Sequence, residues 1–121
     1  MTKKILVIDD DRTNVKLVQN RLEKEGYFVI TAFDGEVGLQ KVKLSPPDVI
    51  ILDVEMPEMN GYTFLLELQK IKELSQLPVI ILTSHKEVEP IFKMNRVKGF
   101  LIKPGDFKKL IKTINDCFSA E

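Results

Sequence analysis

A chain of 121 residues is long enough for one domain with its own core and too short for two. Apolar residues make up 44% and charged residues 30%, a globular balance that excludes both a disordered tail and a membrane-embedded bundle. Eighteen basic and eighteen acidic side chains cancel, and the excess of base after residue 85, eight against five, is too small to attract nucleic acid.

The first strand is expected over "KKILVID", a β-branched run ending in the carboxylates Asp9, Asp10 and Asp11. Its apolar run stops at Ile8, too short for a secretory signal, and no stretch reaches the roughly 18 apolar residues of a spanning helix. A cytoplasmic protein is therefore expected, and the single Cys117 forbids an internal disulfide and reads as a packing residue on a helix face. Asp11 is placed to cap a helix whose apolar stripe is Val15, Val18 and Leu22, with Gly26 placed to end it in a left-handed conformation. "YFVITAF" reads as a second strand, and "DGEVGLQKVKL" as a short helix opened by Asp34. "PDVIILD" is a third strand ending at Asp53, followed by a helix carrying Phe64, Leu65, Leu68 and Ile71. "LPVIILT" is a fourth strand ending at Thr83, and "KGFLIK" a fifth ending at Lys103. Asp106 is placed to cap a last helix with the stripe Phe107, Leu110, Ile111, Ile114 and Phe118.

Five strands alternating with helices, each strand continuously apolar, predict an α/β fold: a doubly wound parallel sheet with helices on both faces. Ligands of such sheets bind beyond the carboxyl ends of the strands, where the strand order reverses. Asp9, Asp10, Asp53, Thr83 and Lys103 all fall on that rim. Three carboxylates with no histidine or cysteine beside them form an oxygen-only site, which suits magnesium. Such a site retains room for a phosphoryl oxygen; Lys103 and Thr83 are placed to contact the remaining oxygens, and Asp53 to act as nucleophile.

At these residues the sequence resembles the receiver domains of two-component response regulators, of the single-domain, chemotaxis-regulator-like kind. The likeness runs through "ILVIDDD", "DGEVGL", "PDVIILDVEMPEMNG", "PVIILTS" and "FLIKP" and covers residues 1–121 as one receiver domain, with Met56 and Pro57 inside its most specific segment. It implies a (βα)5 flavodoxin-like sheet of order 2-1-3-4-5. It implies that Asp53 is the phosphoacceptor, served by a histidine kinase or phosphotransfer protein. Asp10 is then the direct metal ligand, Asp9 its water-bridged neighbour, and the Glu55 backbone carbonyl completes the Mg2+ shell. Thr83 and Phe100 become the switch pair, Lys103 the phosphate-binding lysine, and Lys103–Pro104 a peptide often held cis. Glu55 and His85 match positions that tune loss of the phosphoryl group; on its residues alone His85 reads as a solvated loop residue. The domain assists its own phosphorylation and dephosphorylation without being an enzyme in the ordinary sense.

The pattern departs from the family between Thr83 and Lys103. "SHKEVEPIFKMNRVKGF" stands where an alanine-rich fourth helix and a Gly-Ala step are usual. Pro90 predicts a shortened fourth helix beginning near Glu89 or Pro90 and ending before Lys98, and Gly105 adds flexibility beyond it. Residues 84–118 are the expected surface for a downstream protein target, with no direct nucleic-acid or membrane contact expected; no output domain is present in these 121 residues, which fits either a single-domain regulator or phosphorelay shuttle or a receiver cut from a longer protein. A receiver-like interaction module that works without phosphate, a magnesium-dependent phosphatase and a flavin-binding domain are the competing readings; the acidic first loop disfavours the last.

Overall fold

The structure, a computed structural model, describes residues 2–56, 59–74, 76–93, 96–103 and 107–119. The expectations for Pro57, the Lys103–Pro104 peptide, Gly105 and the Asp106 cap lie outside the described residues.

In chain order the elements are β1 (Lys4–Ile8), α1 (Arg12–Lys24), β2 (Phe28–Ala32), α2 (Gly35–Leu44), β3 (Val49–Leu52) and α3 (Gly61–Gln69). A 3₁₀ turn (Lys72–Leu74), β4 (Val79–Thr83), a 3₁₀ segment (Lys86–Phe92), β5 (Val97–Ile102) and α4 (Phe107–Ser119) complete them. The strands pair in parallel in the order β2-β1-β3-β4-β5, the flavodoxin-like arrangement. The order reverses between β1 and β3, so the crevice of the sheet opens beyond Ile8 and Leu52.

Side chains alternate across each strand, and here both faces are buried. Leu6, Ile8, Ile50, Leu52, Val79 and Ile81 face Leu39 and Val42 of α2 and Phe64, Leu65 and Leu68 of α3. Ile5, Val7, Val49, Ile51, Ile80 and Leu82 face Val15, Val18 and Leu22 of α1 and Leu110 and Ile114 of α4. Each fully buried aliphatic side chain stabilises the fold by roughly 1.5–3 kcal/mol. The two-sided burial is complete for β3 and β4; β2 and β5, at the edges, expose Phe28, Lys98 and Ile102.

The expected caps are present. Asp11, Asp34 and Asn60 accept from the backbone N–H groups of Asn14, Val37 and Thr63 at 3.1, 2.8 and 2.9 Å. Gly26 follows α1 with φ of 92°, the left-handed region that a side chain would strain.

Two expectations need correcting. Ile71 lies beyond α3, whose last turn tightens as Ile71 N–H bonds the Leu68 carbonyl at 3.1 Å. The fourth crossover is shortened as expected, but it begins at Lys86 and not at Glu89 or Pro90, and it is 3₁₀ rather than α. Pro90 sits inside it: a segment built on i→i+3 bonds loses one donor there without having to sustain a long ladder.

Candidate functional site

β1, β3, β4 and β5 run into polar residues where backbone pairing still continues. Asp9 N–H bonds the Ala32 carbonyl at 3.1 Å, Asp53 N–H the Ile8 carbonyl at 2.9 Å, and Lys103 N–H the Thr83 carbonyl at 2.8 Å. The sheet ladder therefore runs into the site, and four distant segments are fixed against each other at its rim.

Asp9, Asp10 and Asp53 each offer a carboxylate oxygen within 4.8 Å of the others. Asp9 and Asp53 are buried, at 2% and 5% exposure, while Asp10 faces solvent. Lys103 Nζ reaches Asp9 Oδ2 at 2.7 Å and Asp53 Oδ2 at 3.6 Å. One ammonium thus faces two buried carboxylates, with Asp10 and Asp11 beside them, and the local charge stays negative. Burial first, then the charge of Asp9, pushes the Asp53 carboxyl up to about 6, with Lys103 and the Glu55 backbone N–H pulling against that shift. Burial opposes the charge on Lys103, but its hydrogen bond to Asp9 and the charges of Asp53, Asp9 and Asp11 prevail and hold its pKa above the ordinary value.

This donor set fits a hard divalent cation. Three carboxylates converge without nitrogen or sulfur donors among the clustered groups, and they carry more negative charge than Lys103 offsets.

Thr83 ends β4 with no exposure, and its Oγ1 accepts from the His85 backbone N–H at 3.3 Å. Phe100, half-buried on β5 opposite Ile81, has its ring centroid 6.3 Å from that of Phe92. All the predicted rim residues therefore lie along one edge of the sheet; Phe100 is set back from it, among the side chains between β5 and the 3₁₀ segment.

Two features escaped the sequence reading. Asn14 Nδ2 donates to Asp9 Oδ2 at 2.8 Å, and with the Asp11 N–H on Oδ1 at 3.0 Å it fixes the Asp9 carboxylate to the start of α1. Its signal was the Asp11–Asn14 spacing, which puts Asn14 in the first helical turn beside the acidic loop. His85 is a loop residue partly open to solvent, as expected, but it is also paired: its Nε2 lies 2.6 Å from Glu55 Oε2 and its Nδ1 3.2 Å from Glu87 Oε1. The register that sets Leu52 opposite Ile81 carries Glu55 to within one residue of His85, but only the strand pairing reveals that offset.

Gly61 shows how closely α3 approaches the site. A Cβ there would stand 2.8 Å from the Asp53 carbonyl oxygen and 2.9 Å from Val54 Cα, and both are backbone atoms that yield only if the strand end moves. Gly61→Ala is expected to destabilise the fold by about 1–3 kcal/mol, read from denaturant midpoints.

Such a sheet, with an acidic cluster and a lysine at its switch point, defines an α/β domain of the flavodoxin-like class. The chain belongs to the response regulator receiver domain family, whose model matches residues 5–115. It is 36% identical over 114 residues to protein PilH of Pseudomonas aeruginosa, covering 93% of this chain and 94% of that one. It is 44% identical over 107 residues to the alkaline phosphatase synthesis transcriptional regulatory protein PhoP of Bacillus subtilis, covering 88% of this chain but only 42% of that longer regulator. The fold superposes on the response regulator TrrA of Thermotoga maritima, solved in complex with Mg(2+)-BeF, with a TM-score of 0.87 at 29% identity, covering 96% of this chain and 99% of that one. Receiver domains are phosphorylation-controlled signalling switches and not classical enzymes, and they bind Mg2+ in their acidic pocket. Among the described residues no helix is long and apolar enough to cross a membrane.

Proposed function

We propose that residues 1–121 form one receiver domain that accepts a phosphoryl group on Asp53 from the phosphohistidine of a histidine kinase or phosphotransfer protein in the cytoplasm. The observation that carries this reading is the buried Asp53 carboxylate, set within 4.8 Å of two further carboxylates and 3.6 Å from the Lys103 ammonium. An Asp53 oxygen attacks phosphorus, the new O–P bond forms as the donor's N–P bond breaks, and the electron pair leaves with the imidazole. Asp9, Asp10, Asp53 and the Glu55 backbone carbonyl would hold Mg2+. Bound there, the cation neutralises charge between the anionic nucleophile and the anionic phosphoryl group. Lys103 contacts a phosphoryl oxygen by charge, and the Thr83 hydroxyl contacts another by leaving the His85 N–H. That exchange, with a shift of the Phe100 ring against Phe92, alters the surface of residues 84–118 toward a downstream protein.

A second reading, a module that works without phosphate, is favoured by the 3₁₀ segment that stands at the fourth crossover. One experiment separates the two. Intact mass is measured after incubation with a small phosphodonor, with and without magnesium, beside Asp53→Ala. The expected result is a gain of one phosphoryl group that requires both magnesium and Asp53; folded protein that gains nothing sustains the second reading instead.

A further inference from the structure

The β3–α3 loop, the first turn of α3 and the 3₁₀ segment enclose an open groove of about 640 Å³. Its walls are Val54, Met56, Tyr62, Val88, Ile91 and Phe92. Side chains three apart eclipse in a 3₁₀ helix, so Val88 and Ile91 stand in line along one wall. Phe92 is buried and meets the Tyr62 ring edge-on at 5.9 Å, while Ile91 is 53% and Tyr62 37% exposed. The apolar area is thus built on a rigid base and left open to solvent. Among the described residues the charged lining residue is Glu55, two residues from Asp53, while Asn60 spends its side-chain oxygen capping α3.

We infer that this groove receives an amphipathic helix from a partner protein, its apolar side chains seated on Tyr62, Ile91 and Phe92 and an Arg or Lys placed at Glu55. The groove is lined by side chains and offers no strand edge, so the incoming segment must satisfy its own backbone polar groups, as a helix does. The Glu55 carboxylate in this largely apolar lining selects a cation, and the described lining residues do not converge polar groups of the kind that orient a small ligand. A second copy of this chain docked through α1 fits less well, since that helix has exposed lysines at Lys16 and Lys24 but only Leu17 as an exposed large apolar residue.

The same residues connect the groove to the switch. Glu55 holds His85 Nε2 at 2.6 Å, and the His85 backbone N–H holds Thr83 Oγ1 at 3.3 Å. A guanidinium or ammonium at Glu55 competes with His85 and loosens its hold on the Thr83 hydroxyl. Docking and phosphorylation then change each other's affinity by the same factor. This coupling rests on the role proposed for Thr83; the docking does not.

A displayed library of helix-forming peptides, selected against the unphosphorylated chain, tests the docking. The strongest binder is then titrated into the wild type, Ile91→Glu, Glu55→Lys and, as a remote control, Leu44→Glu, which alters a side chain 86% exposed at the end of α2. The expected result is enrichment of apolar residues at i, i+4 and i+7 with an Arg or Lys. Affinity should fall roughly tenfold or more for Ile91→Glu and Glu55→Lys, and stay unchanged for Leu44→Glu. Acidic binders, indifference to either groove substitution, or no binder at all overturns the inference. So does an Ile91-dependent dimer in sedimentation, which would give the groove to a second copy. Phosphodonor treatment that leaves peptide affinity unchanged, although Asp53 gains its phosphoryl group, overturns the coupling alone.

Discussion

Replacing Asp53 with asparagine is expected to stabilise the metal-free protein at pH 7 by on the order of 2–3 kcal/mol. The Asp53 carboxyl is raised from 3.8 to about 6 by burial and by Asp9, so the folded state holds a proton more tightly than the unfolded chain does. A raised carboxyl contributes its stability at low pH and loses it as the pH climbs from about 4 through about 6. Asparagine keeps the shape and discards the charge. The gain should therefore be near zero at pH 4 and complete above pH 6, as thermal melts across that range in chelator would show. Magnesium should then narrow the gap at pH 7, because the ion stabilises the wild type by mass action and finds one ligand fewer in the variant. A variant no more stable than the wild type at pH 7 would mean that Lys103 already compensates the cluster. The carboxylate proposed as the phosphoacceptor is thus one whose charge the fold opposes, the usual relation between a functional site and its scaffold.

The reach of the sequence follows from what each signal depends on. Strand and helix identities came from apolar runs and stripes, and those survive folding because they are what the sheet buries: "VIIL" and "VIILT" are buried throughout as β3 and β4. Asp11, Asp34 and Gly26 were legible because capping is local chemistry between residues three or four apart. The rim of Asp9, Asp10, Asp53, Thr83 and Lys103 was legible because parallel strands put all their carboxyl ends on one edge. What failed to show depends on register or on competition between helix types. The pairing of Glu55 with His85 requires the offset between β3 and β4, and no local pattern encodes it. The start of the 3₁₀ segment at Lys86 was missed because the rule for Pro90 assumes an α-helix, whose ladder a proline interrupts more severely. Ile71 keeps the period of α3 although the helix has already ended, since periodicity marks a face and not the last hydrogen bond.

Lys103→Met is expected to produce the opposite and larger effect, a loss of about 2–4 kcal/mol at pH 7 without magnesium. Methionine matches much of the lysine's length and removes only the charge and the donors, so packing is largely kept. What remains is Asp9, which loses a 2.7 Å ion pair, and Asp53, which loses the cation that was pulling its pKa down. Both carboxylates are nearly inaccessible to water, so neither is rescued by hydration, and breaking a buried pair from one side costs more than the pair contributed. The origin of the loss is separable by a double variant. If it arises from the facing carboxylates, Lys103→Met with Asp53→Asn should recover more of the stability than the Asp53→Asn gain alone supplies, a coupling of about 1 kcal/mol or more between residues 3.6 Å apart. Strict additivity in denaturant unfolding would assign the loss to the broken Asp9 pair or to the lysine stem instead of to Asp53. Magnesium supplies a further arm: a divalent cation among the same carboxylates substitutes for the missing ammonium, so the stability of Lys103→Met should depend on magnesium more steeply than that of the wild type. Phosphoryl accumulation on Asp53, the proposed phosphoacceptor, should nevertheless fall, because charge neutralised at the carboxylates does not replace the donor that Lys103 is proposed to offer the phosphoryl oxygens.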